Sequence, residues 1–341
     1  MTNLPQIDAK DAVTRMAAAS RVLITTHARA DGDALGSAAG LARVLRAQGR
    51  EVDVYLHEPV LERYRFLPDM ASMRVWSPDS AADVMERADL LVLVDTCAAI
   101  QIDGVSAAWK ASKKPKLAID HHVTREPIVD AIYVDESSAA ASAMIERLCD
   151  AAGWKIDALT ATLLYSGLAT DTGWFQFSNA NSAAFETAGR LVAAGAKPNE
   201  LYERLYKNDP EARLRLIGEV LSSFELHCDG RLAIIRIDRP MLVRCNATGK
   251  LSEEVINEPQ RIGSVVAAVL LIEPYEADGP IRVSFRSKRD IDVAAIARRF
   301  GGGGHERAAG AKFSTTLDEA YRQVSAVMIE TVGACATGAT S

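Results

Sequence analysis

The chain has 341 residues, 48% of them hydrophobic and 25% charged, with a formal net charge of -6 at neutral pH. That length exceeds what one hydrophobic core usually serves, so two domains are expected. The acidic balance excludes a broad electrostatic grip on long duplex nucleic acid, although it leaves room for a short anionic ligand held by a few cations. Cys97, Cys149, Cys228, Cys245 and Cys335 show no CxxC spacing, which indicates reduced cytoplasmic thiols rather than a zinc ribbon or a disulfide framework. The segment from Met1 to Asp8 lacks a charged region followed by an apolar one, so no signal peptide is expected. No run approaches the roughly 18 apolar residues of a membrane span, and no membrane partner is expected.

Up to about residue 150, strands alternate with helices. Residues 21–26 read as a strand, and Asp33 to Gln48 as a helix with apolar positions at Leu35, Ala38, Leu41, Ala42 and Leu45. Gly49 suits that helix's end. Val52–Leu56, Leu90–Val94 and Leu117–Ile119 are further strands, with Ile132–Val134 a short fifth. This alternation predicts an α/β fold with a doubly wound parallel sheet covered on both faces. From Ser137 to Gly167 the sequence is Ala-rich and helical, broken by Gly153, and suits either a core or the face of a homodimer. It ends in Gly167-Leu-Ala-Thr-Asp171-Thr-Gly173, read as a helix giving way to a turn. Helices are predicted over 182–195 and 199–226. After the turn signal Asp229-Gly230, strands are read at Leu232–Ile237, Val265–Ile272 and Ile281–Phe285. Helices at Asp292–Phe300 and Leu317–Thr331 complete a second, smaller α/β domain, with the Gly-rich stretch Gly301–Gly310 as a loop between them. The tail after Gly333 reads as disordered. The domain limits so drawn are 1–195, a helical linker over 196–226, and 227–333.

Three strand ends carry the chemistry. His27-Ala-Arg-Ala-Asp31-Gly-Asp33 follows the first strand, Asp95 ends Leu90–Val94, and Asp120-His121-His122 follows Leu117–Ile119. Open α/β sheets bind ligands outside the carboxyl ends of their strands. Each motif alone has an ordinary explanation: Asp31 or Asp33 as a helix cap, Asp95 as a turn residue, paired histidines by chance. Together they place four of the six histidines (His27, His121, His122 and His305) in motifs, and with Asp171 they supply enough Asp and His for two cations sharing a carboxylate. Two such ions clamp a phosphoryl group and generate hydroxide at neutral pH. Mixed carboxylate and imidazole donors favour Mn²⁺ over Mg²⁺, with Co²⁺ or Zn²⁺ as substitutes. Gly301, Gly302, Gly303 and Gly304 have a high conformational cost as a run and suit either a hinge or a backbone nest for an anion. His305, Arg307 and the strand-end Arg286 favour the binding loop, because Arg286 can grip a phosphate with two parallel hydrogen bonds.

In HARADGDALGS, LVDT, DHH, GLATDTGWF, and SFRS followed by GGGGHERAAG, the chain resembles the DHH phosphoesterases, in particular the two-domain NrnA-like oligoribonuclease and pAp phosphatases. The motifs occur in the family's order from residue 27 to 310. The resemblance implies that His27 and Asp31 hold one manganese and Asp33, His121 and Asp171 the other, with Asp95 bridging. It further implies that His122 contacts the scissile phosphate and assists the leaving group, while Asp120 orients a neighbouring imidazole. Arg286, Gly301–Gly304 and His305 would bind the substrate's terminal phosphate or nucleotide. Ala30 departs from the family, where proline is frequent, but removes no ligand.

The function so implied is cytoplasmic, two-Mn²⁺ hydrolysis of short 5'-phosphorylated oligonucleotides or of 3'-phosphoadenosine 5'-phosphate (pAp) across an interdomain cleft. The alternatives are a cyclic-di-AMP or pGpG phosphodiesterase, then a family II inorganic pyrophosphatase, whose relatives lack the GGGGH loop. A RecJ-like exonuclease would call for more chain and a basic groove, and a non-catalytic nucleotide sensor would have lost a metal ligand.

Overall fold

The computed structural model describes residues 4–252, 254–275, 279–288 and 291–337. The chain divides into two compact units, Met1–Asn208 and Asp209–Ser341. Their boundary lies inside the segment 196–226 read as a linker.

The first unit holds a parallel sheet of β1 (Arg21–Thr25), β2 (Glu51–Leu56), β3 (Arg74–Val75), β4 (Leu90–Val94), β5 (Lys116–Asp120) and β6 (Ala131–Val134). The spatial order is β3-β2-β1-β4-β5-β6. β4 and β5 are buried along their whole length, which is why they read as continuous apolar runs rather than alternating ones. Val22, Ile24, Val92, Val94, Leu117 and Ile119 meet α1 (Ala9–Ala18), α2 (Gly32–Ala47), α5 (Ala141–Ala152) and α6 (Ala158–Asp171) on one face. Leu23, Leu91, Leu93 and Ala118 meet α3 (Ala81–Glu86) and α4 (Asp103–Ala111) on the other. The residues of α5 from Ala141 to Glu146, with Leu148 and Cys149, are buried, so the Ala-rich helix serves the core. Strand order reverses direction between β1 and β4, so the crevice beyond their carboxyl ends is the switch point of a doubly wound sheet.

α7 (Ser182–Ala193) and α8 (Pro198–Tyr206) complete this unit. The helix read over 199–226 is two helices, α8 and α9 (Glu211–Ser223). Pro210 stands between them as the N-cap of α9, and proline has no N–H to continue a preceding helix.

In the second unit the sheet runs β11-β12-β10-β9-β8-β7, built from β7 (Glu225–His227), β8 (Leu232–Ile237), β9 (Ala267–Ile272), β10 (Ile281–Ser287), β11 (Gly303–His305) and β12 (Ala308–Phe313). Only the β8–β9 pair is parallel among the described pairs. Leu232, Ile234, Val269 and Leu271 face α11 (Val293–Arg298) and α12 (Leu317–Thr337), while Ala233, Ile235, Ala268 and Leu270 face α9 and α10 (Arg239–Arg244). Two expectations are corrected here. The stretch Gly301–Gly310 is not a loop between helices but carries β11 and the start of β12. The terminal helix does not stop at Thr331 but continues to Thr337, into the tail read as disordered.

Candidate metal centre

The side chains gather at the switch point because each sits just beyond a strand or at a helix end. Asp31 is the N-cap of α2, its Oδ1 accepting from the backbone N–H groups of Asp33 and Ala34 at 3.0 Å each. Capping fixes Asp31 and starts the helix one residue before the expected Asp33. Asp95 follows β4 with a left-handed backbone (φ +61°), a conformation that costs a non-glycine residue energy and is concentrated at functional sites. Its N–H still bonds the Ile119 carbonyl at 2.9 Å, so the sheet holds it in place. Asp120 is the last residue of β5, with His121 and His122 directly after it, and Asp171 closes α6. The expected change from helix to turn within this stretch falls after Asp171. There Gly173, Trp174 and Phe175 are all left-handed, and Trp174 is wedged against Tyr165, Tyr202 and Tyr206.

Donor atoms fall into three overlapping sets, each within 4.8 Å: His27, Asp31 and Asp95; Asp33, His121 and Asp171; Asp95, His121 and His122. Asp95 stands between the first two. Its Oδ2 lies 3.4 Å from His27 Nε2 and its Oδ1 3.4 Å from His121 Nε2. Both imidazoles are oriented from behind. His27 Nδ1 meets the Ala28 carbonyl at 2.8 Å and His121 Nδ1 meets the Ser138 carbonyl at 3.1 Å. A carbonyl accepts from Nδ1–H, which leaves Nε2 unprotonated towards the cluster when the ring is neutral. His122 is turned the other way: its Nδ1 lies 2.8 Å from Asp120 Oδ1, and Asp120 is fully buried. The imidazole that Asp120 orients is therefore that of His122.

Asp33 performs a second task. Its Oδ2 accepts from Ala141 N at 2.6 Å and its Oδ1 from Ser142 N at 3.0 Å and Ser37 Oγ at 3.3 Å. It caps the amino terminus of α5, whose own N-cap residue Ala140 has no side-chain bond to give. A carboxylate has about four lone-pair sites, so these three bonds still leave Asp33 about one for a cation shared with His121 and Asp171. Glycines admit this closeness. A Cβ on Gly32 would strike Thr170, one on Gly36 the Leu163 carbonyl at 2.4 Å, and one on Gly167 the Asp33 Oδ1 at 2.6 Å. The α2–α6 contact thus brings Asp171 to Asp33.

Charge crowding is severe. Burial, then Asp95 and Asp171, push the Asp33 carboxyl up to about 8. Burial likewise lifts Asp171 to about 6. Burial opposes charge on His27 and His121, yet Asp95 and the other carboxylates outweigh it and raise them to about 9 and about 10. His122 is raised by its bond to Asp120. Burial works against the Asp95 anion, but His121 and His27 hold its pKa below the usual carboxylate value. Asp95 Oδ1, His121 Nε2 and Asp120 Oδ2 are buried without a hydrogen-bond partner among the described residues. Buried polar atoms are normally satisfied, so two of these three, aimed into the centre of the cluster, fit a divalent cation in chemistry and in charge.

Sequence reasoning missed Ser138, whose carbonyl aims His121, and Asn179, whose Nδ2 donates to the Ala139 and Asp171 carbonyls at 3.1 and 3.2 Å. Backbone carbonyls leave no signature in sequence, and a lone Asn reads as a turn residue.

The substrate residues read from sequence lie in the second unit. Arg286, half-buried in β10, pairs with Ala308, which pairs in turn with His305. Arg286 and His305 thus share one cross-strand row. The His305 side chain lies outside the described residues. Glycine is required here by sterics: a Cβ on Gly302 would lie 2.1 Å from the Gly310 carbonyl and one on Gly304 2.5 Å from that of Ala308. Gly301 and Gly303 have open space around them.

A carboxylate–imidazole cluster at the switch point of a parallel sheet is the constellation of a metal-assisted hydrolase. Residues 21–168 match the DHH family N-terminal domain and residues 238–333 the DHHA1 domain. The chain is 31% identical over 307 residues to the bifunctional oligoribonuclease and PAP phosphatase NrnA of Thermus thermophilus, covering 89% of this chain and 87% of the relative. It is 28% identical over 304 residues to the Bacillus subtilis protein of the same name, covering 88% and 91%. The crystal structure of an exopolyphosphatase-related protein from Bacteroides fragilis superposes with a TM-score of 0.87 at 27% identity, covering 94% and 95%. The chain belongs to the DHH phosphoesterase family, in its NrnA-like group, and is a hydrolase of phosphoester bonds. No helix among the described residues is long and apolar enough to cross a membrane.

Proposed function

We propose that this chain is a manganese-dependent phosphohydrolase acting on short 5'-phosphorylated oligonucleotides and on pAp. The observation that carries this reading is Asp95, its two oxygens divided between His27 and His121 at 3.4 Å each. His27 and Asp31 would hold one Mn²⁺, Asp33, His121 and Asp171 the other, and Asp95 both. Bound there, the pair supplies positive charge to the phosphoryl group and a hydroxide near neutral pH. The chain's own residues do the rest. Asp120 keeps His122 Nδ1 protonated, so Nε2 faces the substrate, contacts the scissile phosphate and, as the imidazolium, gives a proton to the departing alcohol oxygen. The elevated pKa of His122 suits a general acid. Arg286, Gly301–Gly304 and His305 would bind the substrate's terminal phosphate or its nucleotide, with catalysis resting on positioning and charge stabilisation. The division into residues 1–195, 196–226 and 227–333 gives the first segment chemistry and the third selection.

The relatives' printed activities support the substrate class. The test is a panel of short RNA, pAp, pGpG and cyclic di-AMP with the purified chain plus Mn²⁺, Mg²⁺ or chelator. Short RNA and pAp should be cleaved fastest, best with Mn²⁺ and not after chelation. Preference for cyclic di-AMP or pGpG would replace the substrate assignment, and chelator-resistant turnover would end the metal mechanism.

A further inference from the structure

We infer that Arg29 is a substrate contact whose guanidinium receives the phosphate next to the one under attack, an inference that rests on the proposed phosphohydrolase reading. Arg29 stands between His27 and Asp31 in the loop from β1 to α2. It is exposed, and its backbone is left-handed at φ +58°, a conformation that branched and long side chains rarely adopt without a reason. The loop is pinned on both sides of it. His27 Nδ1 meets the Ala28 carbonyl at 2.8 Å, Ala28 N donates to the Gln101 carbonyl at 2.7 Å, and Asp31 caps α2. Arg29 is thus held at the apex of a fixed loop rather than on a loose one.

Its guanidinium makes no hydrogen bond or ion pair among the described residues, although Asp31 is two residues away. Other arginines of this unit do find carboxylates: Arg43 pairs with Asp69 and Asp157, Arg125 with Glu136, and Arg190 with Glu146. An unpaired cation two residues from each of two residues of the cluster, His27 and Asp31, matches an anion that arrives from outside. Position selects which anion. The side chains of His27, His121 and Asp95 are 16, 12 and 4% exposed and form the floor, where the phosphate under attack must sit. Arg29 is exposed and only two residues beyond His27, so the anion we assign to its planar fork of donors is the next phosphate of a nucleotide chain rather than the one on the floor.

Arg29→Gly is the informative variant, because glycine adopts a positive φ freely and the loop keeps its path while the charge is lost. The measurement is kcat/KM on pAp and pApA, each with two phosphates, against bis-p-nitrophenyl phosphate, with one. Arg29→Gly should lower the ratio of the two-phosphate substrates to the generic one by about tenfold to a hundredfold, expressed in KM rather than kcat. Manganese content should be unchanged, and Arg29→Lys should fall between, keeping charge but not the fork. An unchanged ratio would overturn the inference, and so would loss of manganese, which would make Arg29 a support for the loop. If the wild type cleaves bis-p-nitrophenyl phosphate but no nucleotide, the substrate reading fails separately. Inhibition of that hydrolysis by pAp against AMP then decides: a pAp preference erased by Arg29→Gly upholds the contact, and equal inhibition of the wild type refutes it.

Discussion

The Oδ1 atom of Asp33 lies 2.6 Å from the point where a Cβ on Gly167 would stand. That point is also 2.8 Å from Ser142 Oγ, so one methyl group at residue 167 displaces both the carboxylate and the start of α5. Gly167→Ala should cost about 1–3 kcal/mol of stability, the usual range for overpacking, and should lower manganese retention as well. A melting curve and a metal assay on the same sample check this. An unchanged metal content would show that Asp33 keeps its place without the glycine.

Asp95→Ala should leave the chain folded and abolish hydrolysis. Loss of residues that merely orient metal ligands costs about 10- to 100-fold, so loss of a carboxylate serving two ions should exceed a hundredfold. Manganese content should fall with it. Near-normal turnover at full manganese occupancy would contradict the bridging assignment.

His121→Ala and His122→Ala should behave differently. His121 Nε2 is buried towards Asp95 and Asp171, whereas the half-exposed His122 is tied to Asp120. The first variant should lose one metal equivalent; the second should keep both and lose turnover. Elemental analysis of the two proteins separates these outcomes, and equal metal losses would remove the distinction.

Asp157 offers a pH test away from the cluster. It caps α6 through Thr160 N at 2.7 Å and holds Arg43 Nη2 at 2.8 Å. Burial alone would raise its pKa, but Arg43 and Thr160 outweigh it and hold the carboxyl at about 2. A depressed carboxyl contributes stability above its ordinary value of about 4 and loses it as pH falls through about 2. Asp157→Ala should therefore melt lower than wild type near neutrality, by about 1 kcal/mol from the lost cap. The gap should close between about pH 4 and pH 2. A gap independent of pH would mean that the charge on Asp157 adds nothing.

Much of the first unit was legible because its strands are short apolar runs that end in charged residues. Leu90–Val94 is β4 to the residue, and His27, Asp95, His121 and His122 fall where those runs stop, whereas Asp171 closes α6. What escaped depends on distance along the chain. Asp33 caps a helix 108 residues away, while local reasoning offered it only its own helix. The edge strand β11 escaped because its glycines have no strand propensity. Gly304 is there because β12 lies too close for a Cβ, whereas Gly303 has open space around it. The single helix drawn over 199–226 overlooked Pro210, a signal that was in plain view.

The contact between α2 and α6 has a built-in ambiguity. Gly32, Gly36 and Gly40 recur every four residues, so sliding one helix along the other by a turn, about 5.4 Å, would set small residue against bulky partner almost as well as before. Apolar contact area alone therefore specifies that these helices touch, but only weakly where. A polar junction adds what the apolar contact lacks: Asp33 of α2 accepts from Ala141 N and Ser142 N at the start of α5, and Gly167 of α6 closes on the same carboxylate. A residue proposed as a metal ligand thus also ties the start of α5 to α2.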